Sequence, residues 1–264
     1  DEIKKDIEKD NKKVSLWAIL VWDNPSSLRY IAQKEKWAKY VWIDFKLIKL
    51  PENIKERDLY EKIKELNDDS SINGYIIQLP LPKHINSQKI INNIHPKKDV
   101  DWFHPNNVWK VLSGDENGFI PCTPAWIIEI LKSEEIKLEW KTVTVIWRSN
   151  IVWKPVISLL INLGATVIAC NSKTKNLDKY TTMADIVIVA AWKPDLLKVN
   201  MLKNWTTVID VWFTIIDWKI YWDTDTKLID LVWNKVTPVP GWVWSLTVSM
   251  LMKNTLKAYK IQNK

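Results

Sequence analysis

The chain has 264 residues, of which 47% are hydrophobic, enough to build a buried core in one large domain or in two smaller ones. Its two cysteines lie far apart and no apolar run reaches the ~18 residues of a membrane span, so the sequence predicts a cytoplasmic protein without disulfides, zinc or membrane contact. The net charge of +7 comes from lysines scattered along the whole chain, which indicates a solvated basic surface and no nucleic-acid partner.

The first half of the chain alternates apolar strands with amphipathic helices. Asn24-Pro25-Ser26 predicts a helix start, and Tyr30 and Lys34 lie four residues apart on that helix, so they share one face. A later strand closes at Gln78, just before Pro80, at the end of a strand where α/β sheets bind ligands. The predicted strands are 14–21, 43–50 and 72–79, with a helix at 54–66.

The second half opens at Pro121-Cys122-Thr123-Pro124, which predicts a helix to about residue 133. Further strands are predicted at 142–146, 165–170, 185–190 and 206–211, with a helix at 152–163 and a final amphipathic helix at 246–259. This alternation is typical of a doubly wound parallel sheet. We therefore predict an α/β fold with a Rossmann-like second half.

The tryptophan content is unusual, because the chain has 18 Trp and only 5 Gly. Together the two types make up about the share that Gly alone usually has. Several Trp stand where the backbone needs Gly. Asp217-Trp218-Lys219 has the pattern of a tight hairpin turn, in which the second central residue requires a positive φ. Pro240-Gly241-Trp242-Val243-Trp244 has the pattern of a glycine-rich loop.

We hypothesise that most of these Trp are glycines in the native protein, encoded by UGA in an organism that reads UGA as Gly. The alternative is a genuinely Trp-rich protein, whose indoles fill the core or stack on nucleic-acid bases. The positions favour the first interpretation, because Trp at turns forms neither a helical stripe nor an alternating strand face.

A phosphate-binding turn is predicted between the strand at 142–146 and the helix that follows. With Trp147 and Trp153 taken as Gly, glycines bracket a turn that contains Arg148 and Ser149. The N-terminus of the following helix would then offer free N–H groups to a dinucleotide phosphate.

The loop after the next strand indicates which dinucleotide binds. An NAD site usually has Asp or Glu there to bind the ribose 2′-hydroxyl, but none of the three residues after Cys170 is acidic. Ser172 and Lys173 would instead bind the 2′-phosphate of NADP, which is the predicted cofactor. No metal is predicted, because the three His residues have no metal-ligand spacing.

Five motifs in order along nearly the whole chain resemble the bifunctional methylenetetrahydrofolate dehydrogenase/methenyltetrahydrofolate cyclohydrolase family. They are Tyr30-Ile31-Ala32-Gln33-Lys34, Gln78-Leu79-Pro80-Leu81-Pro82, Lys98-Asp99-Val100-Asp101-Trp102-Phe103-His104-Pro105, Pro121-Cys122-Thr123-Pro124 and Thr237-Pro238-Val239-Pro240-Gly241. The resemblance also supports the glycine hypothesis. The family has Gly at the positions of Trp102, Trp109, Trp126, Trp147, Trp153, Trp192, Trp212, Trp242 and Trp244.

The resemblance implies two α/β lobes with the folate substrate in a cleft between them, and a homodimer. The folate-binding catalytic lobe would comprise 1–120 and 246–264, with the final helix returning to it. The Rossmann-like NADP-binding lobe would comprise 121–245. The implied activity is oxidation of 5,10-methylenetetrahydrofolate with NADP, followed by hydrolysis of the methenyl product to 10-formyltetrahydrofolate.

The resemblance also implies the roles of individual residues. Lys34 would move the proton in the hydrolysis with Gln78 bonded to its amine, Tyr30 would pack along the folate, and Asp101 would accept from the pterin N–H groups. The other substrate-binding residues would be Ile77, Leu79, Pro240, Gly241, Val243 and Thr247. The cofactor-binding residues would be Trp147, Arg148, Ser149, Ser172, Lys173 and Phe213.

The chain departs from the family pattern at three points. The family has a segment before the position of Asp1, so a truncated N-terminus is expected, while Asn171 stands where His is frequent and Ser245 where Pro is usual. If the Trp are genuine, we expect a catalytically inactive Rossmann-like binding module instead, because indoles would exclude a phosphate from its turn. A basic protein that stacks bases on Trp is a more distant alternative.

Overall fold

The structure is a computed structural model that describes residues 1–9, 12–22, 24–147, 153–211, 213–217, 219–225, 235–236 and 242–263. The chain divides into two compact units. The first unit comprises Asp1–Cys122 and Leu246–Lys264, and the second comprises Thr123–Ser245. Each unit contains a parallel sheet with helices between its strands, which confirms the predicted α/β class.

The first unit is built on a three-stranded parallel sheet. Its strands are β1 (Val14–Val21), β2 (Ile43–Leu50) and β3 (Gly74–Ile77), and its helices before residue 122 are α1 (Glu2–Lys9), α2 (Pro25–Tyr40), α3 (Glu56–Asp68), α4 (Ser87–Ile91) and α5 (Pro105–Ser113). The order of the strands is β2-β1-β3. Nearly every residue of the central strand β1 is buried, which explains why its sequence is a continuous apolar run.

Helix α3 begins and ends two residues later than the predicted 54–66. Ile54 precedes the helix in a turn, where its N–H donates to the carbonyl of Pro51 at 3.0 Å, and its side chain packs on the apolar core. The helix therefore starts after an apolar residue that sequence periodicity assigned to it. Its buried face is formed at helical spacing by Leu59, Ile63 and Leu66.

The second unit is built on a five-stranded parallel sheet. Its elements are α6 (Cys122–Ser133), β4 (Thr142–Trp147), α7 (Trp153–Asn162), β5 (Thr166–Cys170), α8 (Leu177–Thr181), β6 (Ile186–Ala190), β7 (Thr207–Asp210), β8 (Phe213–Ile216), β9 (Lys219–Trp222) and β10 (Lys235–Val236). The strand order is β10-β7-β6-β4-β5. Because the chain extends from β4 to one side and then returns to the other, the topology switches direction between β4 and β6.

Strands β8 and β9 form a separate antiparallel hairpin, in which Ile216 lies opposite Lys219. This agrees with the tight turn predicted at Asp217-Trp218-Lys219, and Asp217, the first central residue of the turn, has a φ of 48°. Trp218 lies outside the described residues.

The final helix, α9 (Trp242–Gln262), is longer than the predicted 246–259, and from Leu246 onward it belongs to the first unit. Asn254 on this helix donates from Nδ2 to the carbonyls of Val100 at 2.9 Å and Ile120 at 2.8 Å. Both contacts join the helix to loops of the first unit. Within the described part of the chain, no helix is long and apolar enough to cross a membrane.

Candidate active site

Lys34 and Gln78 come together in the first unit although they are far apart in the sequence. Lys34 lies on α2, and its Nζ donates to Oε1 of Gln78 at 3.1 Å. Gln78 directly follows β3, and its backbone N–H donates to the carbonyl of Ile19 in β1 at 2.9 Å. The side chain of Gln78 therefore starts from a fixed point at the carboxyl end of the parallel sheet.

The residues around this pair include three others predicted from the sequence. Tyr30 lies one helical turn before Lys34 on α2 and is half-buried, and burial raises the pKa of its hydroxyl, which stays protonated. Ile77 ends β3 and is buried, while Leu79 packs on the apolar core beside the sheet.

Asp101 lies close enough to Lys34 for their charges to interact. Burial raises the pKa of the Asp101 carboxyl, and the positive charge of Lys34 opposes this. Cys122 contacts the same carboxyl, with its Sγ 4.0 Å from Oδ1 of Asp101. Burial, and after it the charge of Asp101, raises the pKa of the Cys122 thiol well above its ordinary value, so the thiol stays protonated and can donate.

Sequence reasoning did not single out Cys122 as a site residue. It interpreted Pro121-Cys122-Thr123-Pro124 as a helix start and as one of the five family motifs, but it gave Cys122 no role beyond excluding it from disulfides and zinc. The sequence did contain a signal for a role of Cys122. A helix start needs at most one proline, whereas two prolines flank this cysteine.

Asp99 holds the loop that carries Asp101. It is 1% exposed and accepts from the N–H of Phe103 at 3.0 Å, the N–H of His104 at 2.8 Å and Nδ2 of Asn107 at 2.8 Å. Burial raises the pKa of Asp99 to about 6, although these hydrogen bonds lower it. The three donors lie at the start of α5, so Asp99 fixes the chain between Asp101 and that helix. Sequence reasoning missed this role.

Lys98 anchors the other end of this loop. Its Nζ donates to the carbonyl of Leu66 at 2.8 Å and of Asp69 at 2.6 Å, at the end of α3. These carbonyls have no partner within the helix, so a lysine suits them in both hydrogen bonding and charge. Burial lowers the pKa of Lys98.

The predicted cofactor residues of the second unit lie at the carboxyl ends of the neighbouring strands β4 and β5. Ser172 and Lys173 are exposed in the loop after β5, where the N–H of Lys173 donates to Oδ1 of Asn171 at 2.9 Å. Trp147 ends β4 and is 3% exposed. Arg148 and Ser149 lie outside the described residues, as does the side chain of Phe213, which begins β8.

These residues differ in how well they fit NADP. The hydroxyl of Ser172 and the ammonium of Lys173 are accessible to a phosphate at the edge where open α/β sheets bind ligands. Trp147 does not fit, because it adds a large side chain where a phosphate turn needs bare backbone. Its buried Nε1 also has no hydrogen-bond partner among the described residues.

The remaining substrate-binding predictions fall near the start of α9. Val243 lies in this helix, although its side chain is not described, and Thr247 is half-buried one turn later. Pro240 and Gly241 lie outside the described residues. Among the residues that are described, no group of three or more His, Cys, Asp or Glu could hold a metal ion.

Two family models match this chain. The catalytic domain of tetrahydrofolate dehydrogenase/cyclohydrolase matches residues 1–101, and the NAD(P)-binding domain of the same family matches residues 121–263. The site around Lys34 thus falls within the first match, and the five-stranded sheet within the second.

Individual relatives agree with these matches. The chain is 41% identical over 254 residues to the bifunctional protein FolD of Exiguobacterium sibiricum, which covers 96% of this chain and 91% of that protein. The crystal structure of the bifunctional enzyme FolD from Campylobacter jejuni superposes with a TM-score of 0.93 at 40% identity, covering 98% of this chain and 93% of that one. FolD of Trypanosoma brucei, solved with NADP and an inhibitor, superposes with a TM-score of 0.91 at 29% identity, covering 100% and 94%. The chain belongs to the tetrahydrofolate dehydrogenase/cyclohydrolase family.

Proposed function

We propose that this protein oxidises 5,10-methylenetetrahydrofolate to 5,10-methenyltetrahydrofolate with NADP, and then hydrolyses the methenyl compound to 10-formyltetrahydrofolate. The observation that carries the proposal is the hydrogen bond from Lys34 to Gln78, near the carboxyl of Asp101, in a chain of this family. An amine and a carboxylate held in this way offer a proton-transfer group and a binding group for the same folate.

The oxidation requires no proton transfer to or from a side chain of the protein. A hydride leaves the methylene carbon, and the flanking folate nitrogens stabilise the methenyl cation that forms. NADP supplies the hydride acceptor when it is bound. The protein has to hold the carbon in a fixed orientation and exclude competing reactions.

The hydrolysis requires a proton transfer, which we assign to Lys34. Water adds to the methenyl carbon and loses a proton. The bond from that carbon to N5 then breaks as N5 takes up a proton and the added hydroxyl loses one, which leaves the formyl group on N10. The positive charge of the methenyl carbon makes the adding water more acidic, and the amine of Lys34 is assigned to accept its proton. Gln78 accepts a hydrogen bond from Nζ and so keeps the amine in one position.

Asp101 and Tyr30 are proposed to bind the folate. The pterin ring presents adjacent N–H donors, which suit the two oxygens of a carboxylate. The Cys122 thiol near Oδ1 of Asp101 would limit the rotation of that carboxyl. Tyr30, on the same helix as Lys34, would pack along the ring system, with Ile77 and Leu79 at the end of β3.

We propose that the two parts of the chain bind different molecules, as the sequence predicts. Residues 1–120 and 246–264 would bind folate, with the loop and helix start at Pro240, Gly241, Val243 and Thr247 closing over it, and 121–245 would bind NADP. Four hydrogen bonds from the side chains of Asn254 and Gln262 on α9 to backbone carbonyls of the first unit support the assignment of its end. A homodimer in the cytoplasm is also proposed, and light scattering of the purified protein would test the dimer.

NADP is proposed over NAD because of the loop after β5. The exposed Ser172 and Lys173 suit a 2′-phosphate, and none of the three residues after Cys170 is an acid that would bind the 2′-hydroxyl of NAD. Arg148, Ser149 and Phe213 are proposed to complete the cofactor site.

We also propose that most of the Trp are glycines in the native protein, encoded by UGA. Two structural features support this. Buried Nε1 atoms of Trp126 and Trp147 have no hydrogen-bond partner within the described ranges, although a buried indole N–H usually has one. Among the Trp that the structure describes, six have φ between 58° and 74°, where Gly is the usual residue, namely Trp22, Trp42, Trp102, Trp140, Trp192 and Trp205.

The nucleotide sequence tests the glycine proposal directly. We expect UGA at most of the eighteen Trp codons, and an intact mass of the native protein that fits Gly at those positions. UGG at these codons, or a native mass that matches eighteen Trp, would refute it.

The activity is tested on protein purified from its native source. With 5,10-methylenetetrahydrofolate and NADP, we expect NADPH and 10-formyltetrahydrofolate to form in equal amounts, faster than the uncatalysed hydrolysis. No NADPH would refute the dehydrogenase, and methenyl hydrolysis at the uncatalysed rate would refute the cyclohydrolase. The alternative, an inactive Rossmann-like binding module, predicts that both reactions fail.

A further inference from the structure

The loop after β6 forms a cluster of N–H groups that a carboxylate of the same chain fills. Ala191, Trp192 and Lys193 directly follow β6, and all three N–H groups donate to Asp223. Oδ2 accepts from Ala191 and, at 3.0 Å, from Trp192, while Oδ1 accepts from Lys193 at 2.6 Å. The φ of 58° at Trp192 is typical of a nest, in which successive N–H groups converge on an anion.

The segment that carries Asp223 is also joined to the end of β7. Asp223 follows β9, and its own carbonyl accepts from the N–H of Leu197 at 3.0 Å. Thr224 donates from its N–H at 2.9 Å and its Oγ1 at 2.7 Å to Oδ2 of Asp210, the last residue of β7. The loop after β6 is therefore held to the carboxyl end of the neighbouring strand.

The location of this loop gives the contacts a functional meaning. The topology switches between β4 and β6, and a doubly wound sheet binds its dinucleotide in the crevice at such a point. The N–H groups of residues 191–193 lie at this edge but are already engaged by Asp223. These N–H groups are not available for a phosphate. The loop therefore affects the crevice through the conformation of its backbone.

The carboxylate and the loop depend on each other. Asp223 is 1% exposed, and burial raises its pKa while the three backbone N–H groups lower it. A buried carboxylate without these donors would be costly, and three converging N–H groups without an acceptor would be equally unfavourable.

We infer that Asp223 is a positioning residue of the dinucleotide site, which fixes residues 191–193 in the shape that accepts NADP without touching the cofactor itself. The inference rests on the proposed NADP-dependent activity. It predicts a defect in NADP binding that is separate from the chemistry of the first unit.

The test compares two activities of one protein, made with Gly at positions 147 and 153 so that the unaltered form can bind NADP. Asp223→Asn keeps the size of the side chain and removes its charge, and we expect the KM for NADP to rise about tenfold or more because charge-assisted hydrogen bonds are lost. The kcat at saturating NADP and the cyclohydrolase activity measured without NADP should stay within about twofold, because binding and not proton transfer is affected. Asp195→Asn is the matched control, since Asp195 is an exposed acid in the same region whose φ of 54° Asn also tolerates.

Chemical rescue distinguishes positioning from general stability. In Asp223→Ala, added formate can occupy the space of the missing carboxylate, and we expect it to lower the KM for NADP without affecting the unaltered protein. An unchanged KM in both Asp223 variants, an equal loss of cyclohydrolase activity, or a failure of formate to improve binding would overturn the inference. Absence of NADP-dependent activity in the unaltered protein would instead refute the proposed function.

Discussion

The side-chain oxygen of Gln78 lies 3.1 Å from Nζ of Lys34. The nitrogen of the same amide determines the direction in which this oxygen points. Nε2 of Gln78 donates to the carbonyl of Leu79 at 2.9 Å. Because an amide has one accepting and one donating end, this second bond directs the oxygen toward the lysine. The position of the Lys34 amine is thus set by a residue at the end of β3.

Replacement of Lys34 by Met should separate the two activities. Met keeps the length of the side chain and lacks the amine, so we expect cyclohydrolase activity to be abolished while measurable dehydrogenase activity remains. The assay follows methenyltetrahydrofolate, which should accumulate in the presence of NADP. Lys36→Met, an exposed lysine on the same helix, is the control and should hydrolyse the compound normally. Continued enzymatic formation of the 10-formyl product by the Lys34 variant would contradict the role.

Replacement of Gln78 by Ala should weaken both activities. The variant loses the acceptor of the Lys34 hydrogen bond and leaves the folate less well positioned, so we expect kcat/KM to fall roughly tenfold or more for each reaction. Steady-state kinetics with each folate substrate measures the effect. Gln33→Ala, an exposed residue on α2, should change neither value. A loss confined to one reaction would show that Gln78 does not serve both.

Replacement of Lys173 by Ala should affect NADP more than NAD. Only NADP carries the 2′-phosphate that the ammonium would bind, so we expect kcat/KM for NADP to fall about tenfold and that for NAD to change little. Lys175→Ala in the same loop is the control. Equal losses with both cofactors would mean that Lys173 is an ordinary surface lysine.

The residues at positions 147 and 153 should decide whether NADP binds at all. Protein with Trp147→Gly and Trp153→Gly should bind NADP, and protein with both Trp should not, because the indoles would exclude a phosphate from the start of α7. Isothermal titration of the two forms measures the difference. Unimpaired binding by the Trp form would overturn both the cofactor assignment and the glycine proposal.

Asp99 should give the stability of the protein a characteristic pH dependence. Its pKa of about 6 in the folded state lies above the ordinary value of 3.8, so the folded protein holds the proton more tightly between these values. Its contribution to the free energy of unfolding should therefore fall as the pH rises from about 4 to about 6, by about 2 to 3 kcal/mol. Urea unfolding of the unaltered protein and of Asp99→Asn across this range gives the difference. A difference that does not vary with pH would contradict the assignment.

The regular elements could largely be predicted because their sequences carry a simple period. Strands β1 and β2 have the predicted bounds, since turn residues flank both apolar segments. The start of α3 was wrong by two residues because Ile54 is apolar for a different reason, packing on the core from a turn. Apolar periodicity records burial and does not distinguish a helix from the turn before it.

The site could be predicted in part. Tyr30 and Lys34 share a helical face, and a strand end locates Gln78, so their meeting follows from local patterns together with the family resemblance. The contacts of Asp99 and Asp223 could not be found in this way. Asp223 accepts from N–H groups about thirty residues earlier in the chain, and only the folded backbone brings these donors to one point.

The return of α9 to the first unit has a consequence for synthesis on the ribosome. Asn254 donates a hydrogen bond to the carbonyl of Val100, the neighbour of Asp101, yet Asn254 is translated 154 residues after Val100. Domains usually fold as they emerge, but here the first 122 residues lack part of their own unit until the second has been made. The unit that is translated first is therefore completed last, and loss of the final residues would damage the unit that carries Lys34 and Gln78 rather than the five-stranded sheet.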